Sequence, residues 1–141
     1  MATFNKFNQF VEYLAEKVYN LETDTLKAAL TNTAPVATNT VFANITEISA
    51  GNGYSAGGTQ ATVASSAQTT GTYKLVLNDV TFTASGGSIG PFRYVVLYDD
   101  TPTSPADPLI GYYDYGTNLT VTSGNSFVVD FDGTNGVLTV A

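Results

Sequence analysis

Seven consecutive strand-favouring positions, Phe92 to Tyr98, form the most apolar of the strand-like runs in this chain. A glycine-rich turn that ends in Pro91 precedes them, and Asp99 and Asp100 follow. A run rich in Val, Tyr and Phe with such boundaries is typical of a β-strand that is buried on both faces. We therefore expect something to cover each side of the sheet that contains this strand.

The first residues follow a helical pattern, in which apolar side chains recur in steps of three or four. The apolar positions are Phe4, Phe7, Val11, Leu14, Val18 and Leu21. This spacing places them on one stripe of an α-helix, with polar residues on the other side. The sequence therefore predicts an N-terminal amphipathic helix within residues 1–23, laid on a sheet face or docked on a partner. A seam for self-association is the alternative, although fewer than three heptads are short for an independent coiled coil.

From residue 24 onward the pattern is almost wholly β. Short strand-favouring runs alternate with Gly, Asn, Asp and Pro at a spacing of about ten residues. The predicted strands are Thr25–Thr31, Gln60–Ala64, Thr72–Leu77, Val80–Thr83, Phe92–Tyr98, Leu109–Tyr115, Leu119–Thr122, Ser126–Phe131 and Val137–Val140. The Leu and Ala residues of the first of these fit an extension of the helix equally well. Such spacing indicates an antiparallel sandwich or barrel. We expect a mainly β protein, with a jelly-roll-like antiparallel β-sandwich domain over residues 24–141 after the N-terminal helix.

The connections between these strands carry further expectations. The run Leu109–Tyr115 is predicted to return antiparallel to Phe92–Tyr98 across a proline-rich loop. Residues 65–71 are rich in Ser, Thr, Gln and Gly, so they are predicted to be a connector. Residues 37–49 fit either a short strand or a helical turn.

Composition restricts function more than it restricts fold. The 141 residues contain no cysteine and no histidine, which removes disulfides and the commonest general base and metal ligand. A net charge of -7 with five basic residues argues against nucleic acid as a partner. No run approaches the roughly 18 apolar residues of a membrane span, and the start lacks a signal-peptide pattern. We therefore expect no cofactor, no membrane association and synthesis in a cytoplasm.

Acidic residues offer a weak candidate for a metal site. Asp130 and Asp132 precede Gly133 and could converge, because alternate residues of a strand share a face. Carboxylate oxygens are the ligands that calcium takes, but the full loop spacing of a calcium site is missing. An ordinary turn is the favoured interpretation, so no metal is predicted. Nothing in the spacing of the other acids selects a catalytic pair, and no enzymatic activity is expected.

Arg93 is the only arginine, and it lies inside the apolar strand. Strict alternation would place it on one face with Val95, Leu97 and Asp99, and would place Phe92, Tyr94, Val96 and Tyr98 on the other. Its guanidinium must reach an edge, a carboxylate or a tyrosine ring, and an ion pair between subunits is a further possibility. Tyrosines are numerous, and they suit half-buried sheet positions, protein contacts or stacking on sugars. The candidate contact residues are Phe4, Phe7, Val11, Leu14, Val18, Arg93, Tyr112 and Tyr113.

Three segments of the chain together resemble known proteins. They are Thr25–Pro35, then Ile45–Ile48 leading to Gly51–Tyr54, and then Asp79–Ala84 leading to Ile89–Tyr98. Their pattern and order resemble small virion proteins of tailed bacteriophages, in particular capsid decoration (cement) proteins. The likeness extends over most of residues 24–141, and it includes no catalytic motif.

This resemblance implies a non-enzymatic structural protein with a β-sandwich or jelly-roll-like domain. It implies self-association, with a trimer favoured, and a position on the outer capsid surface, where the protein contacts the major capsid protein. The protein would be made in the cytoplasm of a bacterial host and reside in the virion. The alternatives are a phage tail or fibre-associated protein, or a lectin-like module that binds carbohydrate through Tyr112, Tyr113 or Tyr115.

Overall fold

Ten β-strands and one short α-helix form the regular structure of residues 2–141, which a computed structural model of the chain describes. The helix, α1, spans Phe10–Ala15, and a 3-10 turn spans Phe42–Asn44. The strands are β1 Thr3–Lys6, β2 Leu26–Thr31, β3 Thr59–Gln60, β4 Val63–Thr69, β5 Thr72–Leu77, β6 Val80–Thr83, β7 Ile89–Asp99, β8 Leu109–Val121, β9 Ser126–Val129 and β10 Leu138–Val140.

These strands form three antiparallel sheets. The largest has the order β1-β8-β7-β2-β3, the second has the order β10-β5-β4, and β6 pairs with β9 in the third. The prediction of a mainly β protein with antiparallel sheets is thereby confirmed.

Strand β7 lies in the middle of the five-stranded sheet, between β2 and β8. Val96 lies opposite Ala29 of β2 on one side and opposite Tyr112 of β8 on the other. The predicted strands Thr25–Thr31 and Leu109–Tyr115 are therefore present, and the antiparallel pairing of the second with β7 is confirmed.

One face of β7 contributes to a core that joins all three sheets, which we call the inner core. Ile89, Phe92, Val95 and Leu97 of β7 belong to it. The other sheets add buried residues that include Leu75, Leu77, Val80, Phe82 and Val129. Removing this apolar surface from water is the main force that holds the sheets together.

The opposite face of β7 is covered by residues from the same chain, in a second group that we call the outer cluster. It consists of Phe7, Ala29, Val96, Tyr98 and Leu109, with Phe42, Ile45 and Tyr112 packed against them. The ring of Phe42 stacks on that of Tyr98 at a centroid distance of 4.1 Å and an angle of 11°. Within residues 37–49, the alternative of a helical turn is therefore the one observed, and this segment covers the second face.

The predicted N-terminal helix is present, but only over Phe10–Ala15. Phe4 lies instead in β1, which pairs antiparallel with β8, and Phe7 follows that strand. Steps of three between apolar side chains are a helical pattern, but the edge of β8 offers backbone partners that only an extended chain can use. Hydrogen bonding to β8 therefore decides the conformation of residues 3–6.

The helix ends at a residue with left-handed backbone geometry, Lys17, whose φ is 63°. The N–H of Val18 donates to the carbonyl of Tyr13 at 2.9 Å, and that of Lys17 donates to Leu14 at 3.3 Å. These bonds satisfy the last carbonyls of the helix in the manner of a Schellman cap. The apolar stripe therefore continues past the helix in irregular chain, which carries Val18 and Leu21.

Three further strand predictions differ from the structure. The predicted strand Gln60–Ala64 is divided between the end of β3 and the start of β4, with Ala61 and Thr62 in neither. Residues 65–71, predicted to be a connector, belong mostly to β4, and the turn to β5 is only Thr70-Gly71. Both turn residues have positive φ, 50° and 86°, as a two-residue hairpin with a type I′ turn requires. This turn brings the weakly strand-favouring Ser and Thr residues of β4 into register with β5. The predicted strand Leu119–Thr122 is the continuation of β8.

Alternation along β7 is also interrupted. The pairing of β7 with β8 is irregular between Phe92 and Tyr94. As a result, Phe92 faces the inner core together with Val95, although strict alternation would place it with Val96 and Tyr98. A bulge shifts one residue to the other face, which is the physical reason for this error.

We expect Phe42→Ala to lower the free energy of unfolding by about 2 kcal/mol, because it removes the ring that covers Tyr98. Urea unfolding followed by circular dichroism measures this change. Val36→Ala is the control. Val36 lies just before residues 37–49 and is 56% exposed, so its replacement should change stability by no more than about 0.5 kcal/mol. Equal losses in the two variants would contradict the role of residues 37–49 as a cover for β7.

Candidate functional site

Four side chains near the middle of β7 and β8 form a group that combines an ion pair with two tyrosine rings. They are Arg93, Tyr94, Tyr112 and Asp114, which we call the tyrosine–arginine face. Tyr94 lies directly opposite Asp114, and Tyr112 lies opposite Val96. The adjacent strands β7 and β8 therefore hold all four side chains in a fixed arrangement.

Arg93 and Asp114 form a two-point ion pair. Arg93 Nε donates to Asp114 Oδ1 at 2.8 Å, and Arg93 Nη2 donates to Asp114 Oδ2 at 3.0 Å. Planar guanidinium and carboxylate groups fit each other in this geometry, which fixes both side chains. The hydrogen bonds from Arg93, followed by that from the N–H of Gly116, hold the pKa of Asp114 below its ordinary value.

The aromatic rings complete this face. The guanidinium carbon of Arg93 lies 5.3 Å from the centre of the Tyr94 ring, within reach of a cation–π contact. The rings of Tyr94 and Tyr112 meet edge to face at 6.3 Å. The β-bulge between Phe92 and Tyr94 allows the two consecutive residues Arg93 and Tyr94 to contribute to the same group. Arg93 thus reaches both a carboxylate and a tyrosine ring, two of the environments that the sequence left open.

Access to solvent differs among these residues. The side chains of Arg93 and Asp114 are 36% and 34% exposed, and Tyr112 is half-buried. Tyr94 is almost fully buried, so it contributes to the face through its contacts with Arg93 and Tyr112. The partly exposed residues Arg93 and Tyr112 are of the types that contribute most often to protein contacts.

The other predicted contact residues are distributed differently. Phe7 and Tyr113 are buried within the chain, so neither side chain is free to contact a partner. Phe4 is half-buried against Tyr113, with the ring centres 5.4 Å apart. Val11 is 52% exposed on α1. The six side chains predicted as one stripe therefore do not form one contact surface.

Leu14 and Val18 line a groove of about 640 Å³ beside the N-terminal segment. Tyr73 of β5 and Val140 of β10 lie on the other side of this groove. Its walls also include Asp24.

The carboxyl group of Asp99, the last residue of β7, is buried next to Asp24. Asp99 is 0% exposed, and the N–H of Thr101 donates to its Oδ1 at 3.0 Å. Among the described residues, its Oδ2 has no hydrogen-bond donor. The Asp99 carboxyl lies within hydrogen-bonding reach of the Asp24 carboxyl, and the backbone N–H of Asn20 donates to Asp24 Oδ2 at 2.8 Å. Because two adjacent carboxylates repel each other, this arrangement favours a shared proton.

The pKa of Asp99 is raised to about 8, first by burial and then by the hydrogen bond and charge of Asp24. A protonated Asp99 can donate to Asp24 and thereby connect the chain near Asn20 to the end of β7. The sequence pattern did not predict a role for this pair. Strand alternation could have indicated the burial of Asp99, because Asp99 follows Val95 and Leu97 in steps of two and so shares their buried face.

The Asp130 and Asp132 candidate is an ordinary turn. Asp132 Oδ1 accepts hydrogen bonds from the N–H groups of Thr134 at 2.9 Å and Asn135 at 2.8 Å. Asp132 Oδ2 accepts another from the Asn135 side chain at 2.8 Å. These bonds, with those from Asn135 first in effect, lower the pKa of Asp132. Both oxygens of Asp132 are therefore engaged by the turn itself.

Two kinds of feature are absent from residues 2–141. Within that range, no group of three or more His, Cys, Asp or Glu side chains is placed to hold a metal ion. Over the same residues, no helix is long and apolar enough to cross a membrane. Comparison of the chain with models of protein families, with curated proteins and with solved structures gives no match.

We expect Asp99→Asn to stabilise the protein increasingly as the pH rises from 5 to 8. In this window the folded wild type holds a proton that the unfolded chain releases, because the pKa of Asp99 is raised from 3.8 to about 8. Stability of the wild type therefore falls with rising pH, by at most about 1.4 kcal/mol per pH unit from this group. Asparagine carries no such proton, yet it can still donate to Asp24 and accept from Thr101.

Urea unfolding of both proteins at several pH values measures the difference. The exposed Asp130→Asn serves as the matched control for removal of one carboxyl group. A constant difference between Asp99→Asn and wild type across this pH range would contradict the shared proton.

Proposed function

We propose that this protein is a non-enzymatic structural component of a bacteriophage virion, most concretely a capsid decoration protein. In this role it binds the outer capsid surface, contacts the major capsid protein and stabilises the shell. It is made in the cytoplasm of the bacterial host and self-associates as a homo-oligomer. The resemblance of residues 24–141 to such proteins supports this role, and the tyrosine–arginine face supplies a surface for it.

The tyrosine–arginine face is the observation that carries this proposal. Its ion pair and rings are already ordered within one chain, so binding a rigid surface costs little side-chain entropy. Arg93 and Tyr112 keep part of their surface open to solvent. Arginine and tyrosine contribute strongly to protein interfaces when a partner covers them and excludes water.

We further propose that the five-stranded sheet and the two smaller sheets form the opposed layers of a β-sandwich. The inner core supports this arrangement because it takes buried residues from all three sheets. Two layers that share one apolar core suit a part that must stay rigid while it supports neighbouring subunits.

The lectin-like alternative has less support from side-chain positions. Tyr113 is buried, and the ring of Tyr115 packs against Phe127 with the centres 5.2 Å apart. Tyr112 is half-buried and also packs against Phe7 at 5.3 Å. An open platform of stacked tyrosines is the usual requirement for sugar binding, and these three residues do not share one.

We expect the purified protein to co-sediment with empty heads of the parent phage at a fixed saturating ratio. Arg93→Ala should weaken this binding about tenfold or more while changing the melting temperature little, since a partly exposed ion pair contributes little to folding.

Lys27→Ala is the matched control for this experiment. Lys27 pairs with Asp100 at 3.1 Å, and the two side chains are 28% and 35% exposed, so it removes a comparable ion pair elsewhere on the same sheet. Binding to tails with no binding to heads would replace the decoration role with the tail or fibre role. Equal loss of binding in both variants would contradict a specific contribution of the tyrosine–arginine face.

A further inference from the structure

Strand β4 is an outer strand of the β10-β5-β4 sheet, and within residues 2–141 β5 is its only ladder partner. It spans seven residues, Val63–Thr69, and each of them is exposed or half-buried. A strand at a sheet edge leaves every second N–H and C=O unpaired and pointing outward. An unpaired edge of this length is a ready partner for another strand.

The other outer strands are shorter. β1, β6 and β9 have four residues each, β10 has three and β3 has two. β1 also ends in Lys6, and a charged residue at an edge discourages pairing with another chain. Strand β4 carries neither a charge nor a proline, and its one irregularity lies near its start, between Val63 and Ser65. It is therefore the longest outer strand and the one with the fewest features that oppose pairing.

Charge identifies the kind of partner that fits this edge. The whole stretch from Ile48 to Tyr73 contains no charged residue, although the chain has a net charge of -7. Two copies of an acidic protein repel each other over most of their surface, and they approach best where neither carries charge. A positively charged partner would gain no electrostatic attraction at β4. A second copy of this chain would avoid electrostatic repulsion there, which is the main cost of bringing two acidic copies together.

The hairpin turn fixes which backbone groups of β4 point outward. The residues that flank a two-residue type I′ turn form a hydrogen-bonded pair, here Thr69 with Thr72. Hydrogen bonding to β5 then recurs at Ala67, so the intervening residues Ser66 and Gln68 direct their N–H and C=O groups away from β5. The outward groups therefore lie on either side of Ala67.

We propose that two copies of this chain pair through β4, antiparallel and around a twofold axis at Ala67. Ser66 of each copy then lies opposite Gln68 of the other, and their outward N–H and C=O groups form the new ladder. The two three-stranded sheets become one continuous sheet across the dimer. A symmetric contact of this kind uses the same strand twice, which is the commonest arrangement in homodimers.

Side chains at the axis suit such a contact. Ala67 is small and exposed, and it would face its own counterpart at a Cα distance of about 4.5 Å, as in a pair without direct hydrogen bonds. The neighbouring Ser and Gln side chains are polar, so the free edge stays compatible with water before pairing. The contact thus depends mainly on backbone hydrogen bonds, and charge at position 67 should control it.

The inference gives the self-association of the proposed function a twofold contact, in place of the trimer that the resemblance favours, and it does not depend on the phage part. The experiment uses sedimentation velocity of the full chain, whose monomer mass is 14.8 kDa, over a range of concentrations. Wild type should form a dimer. Ala67→Lys and Ala67→Glu should each weaken dimerisation about thirtyfold or more, because two like charges then lie directly opposite each other across the interface. An equimolar mixture of the two variants should recover the dimer.

Thr139→Lys is the matched control. Thr139 of β10 and Ala67 of β4 both lie opposite Lys74, on its two sides, so each lysine variant adds the same repulsion within the sheet. Only Ala67→Lys adds charge to the proposed axis, so Thr139→Lys should dimerise as wild type does. Circular dichroism of each variant checks that the fold is retained.

Three results would overturn the inference: a wild-type monomer at all concentrations, a wild-type trimer, or a dimer that both Ala67 variants leave intact. A wild-type monomer would also remove self-association from the proposed function. A dimer that behaves as expected but fails to bind phage heads would overturn the decoration role and leave the β4 contact supported.

Discussion

Burial of β7 on both faces is the constraint on which the rest of the structure depends. The strand has almost no polar side chain except Arg93 and the terminal Asp99, so each face must be covered to keep apolar surface from water. The chain meets this requirement in two ways, with the inner core on one side and Phe42 and its neighbours on the other. One chain therefore supplies both covers, and no neighbouring subunit is needed to bury β7.

The sequence predicted the elements that local pattern decides and missed those that long-range pairing decides. The apolar runs that became β7 and β8 are recognisable because each has a strong bias of its own. Strand β1 and the polar strand β4 are set by free backbone groups on β8 and β5, which no local pattern reveals. The bulge beside Arg93 depends on the register between β7 and β8. For the same reason, the arrangement of the tyrosine–arginine face could not be predicted from the sequence.

This acidic chain has few charged residues, and its two ion pairs described above lie in one part of the fold. Arg93 is matched by Asp114 on the neighbouring strand, and Lys27 is matched by Asp100 near the end of β7. In this way both ion pairs lie on the five-stranded sheet. The stretch that contains β4 is left without charge. Separating ion pairs from an uncharged edge lets the same small domain offer two surfaces with different chemistry.

The carboxyl pair of Asp24 and Asp99 also affects the solvent when the chain folds. With the pKa of Asp99 raised to about 8, the folded protein is expected to hold a proton there near neutral pH that the unfolded chain releases. Folding therefore takes up protons from the medium, and the buffer must supply them. The heat measured on unfolding will consequently include the ionisation heat of the buffer, so calorimetric enthalpies of this protein are comparable only between buffers of known ionisation enthalpy.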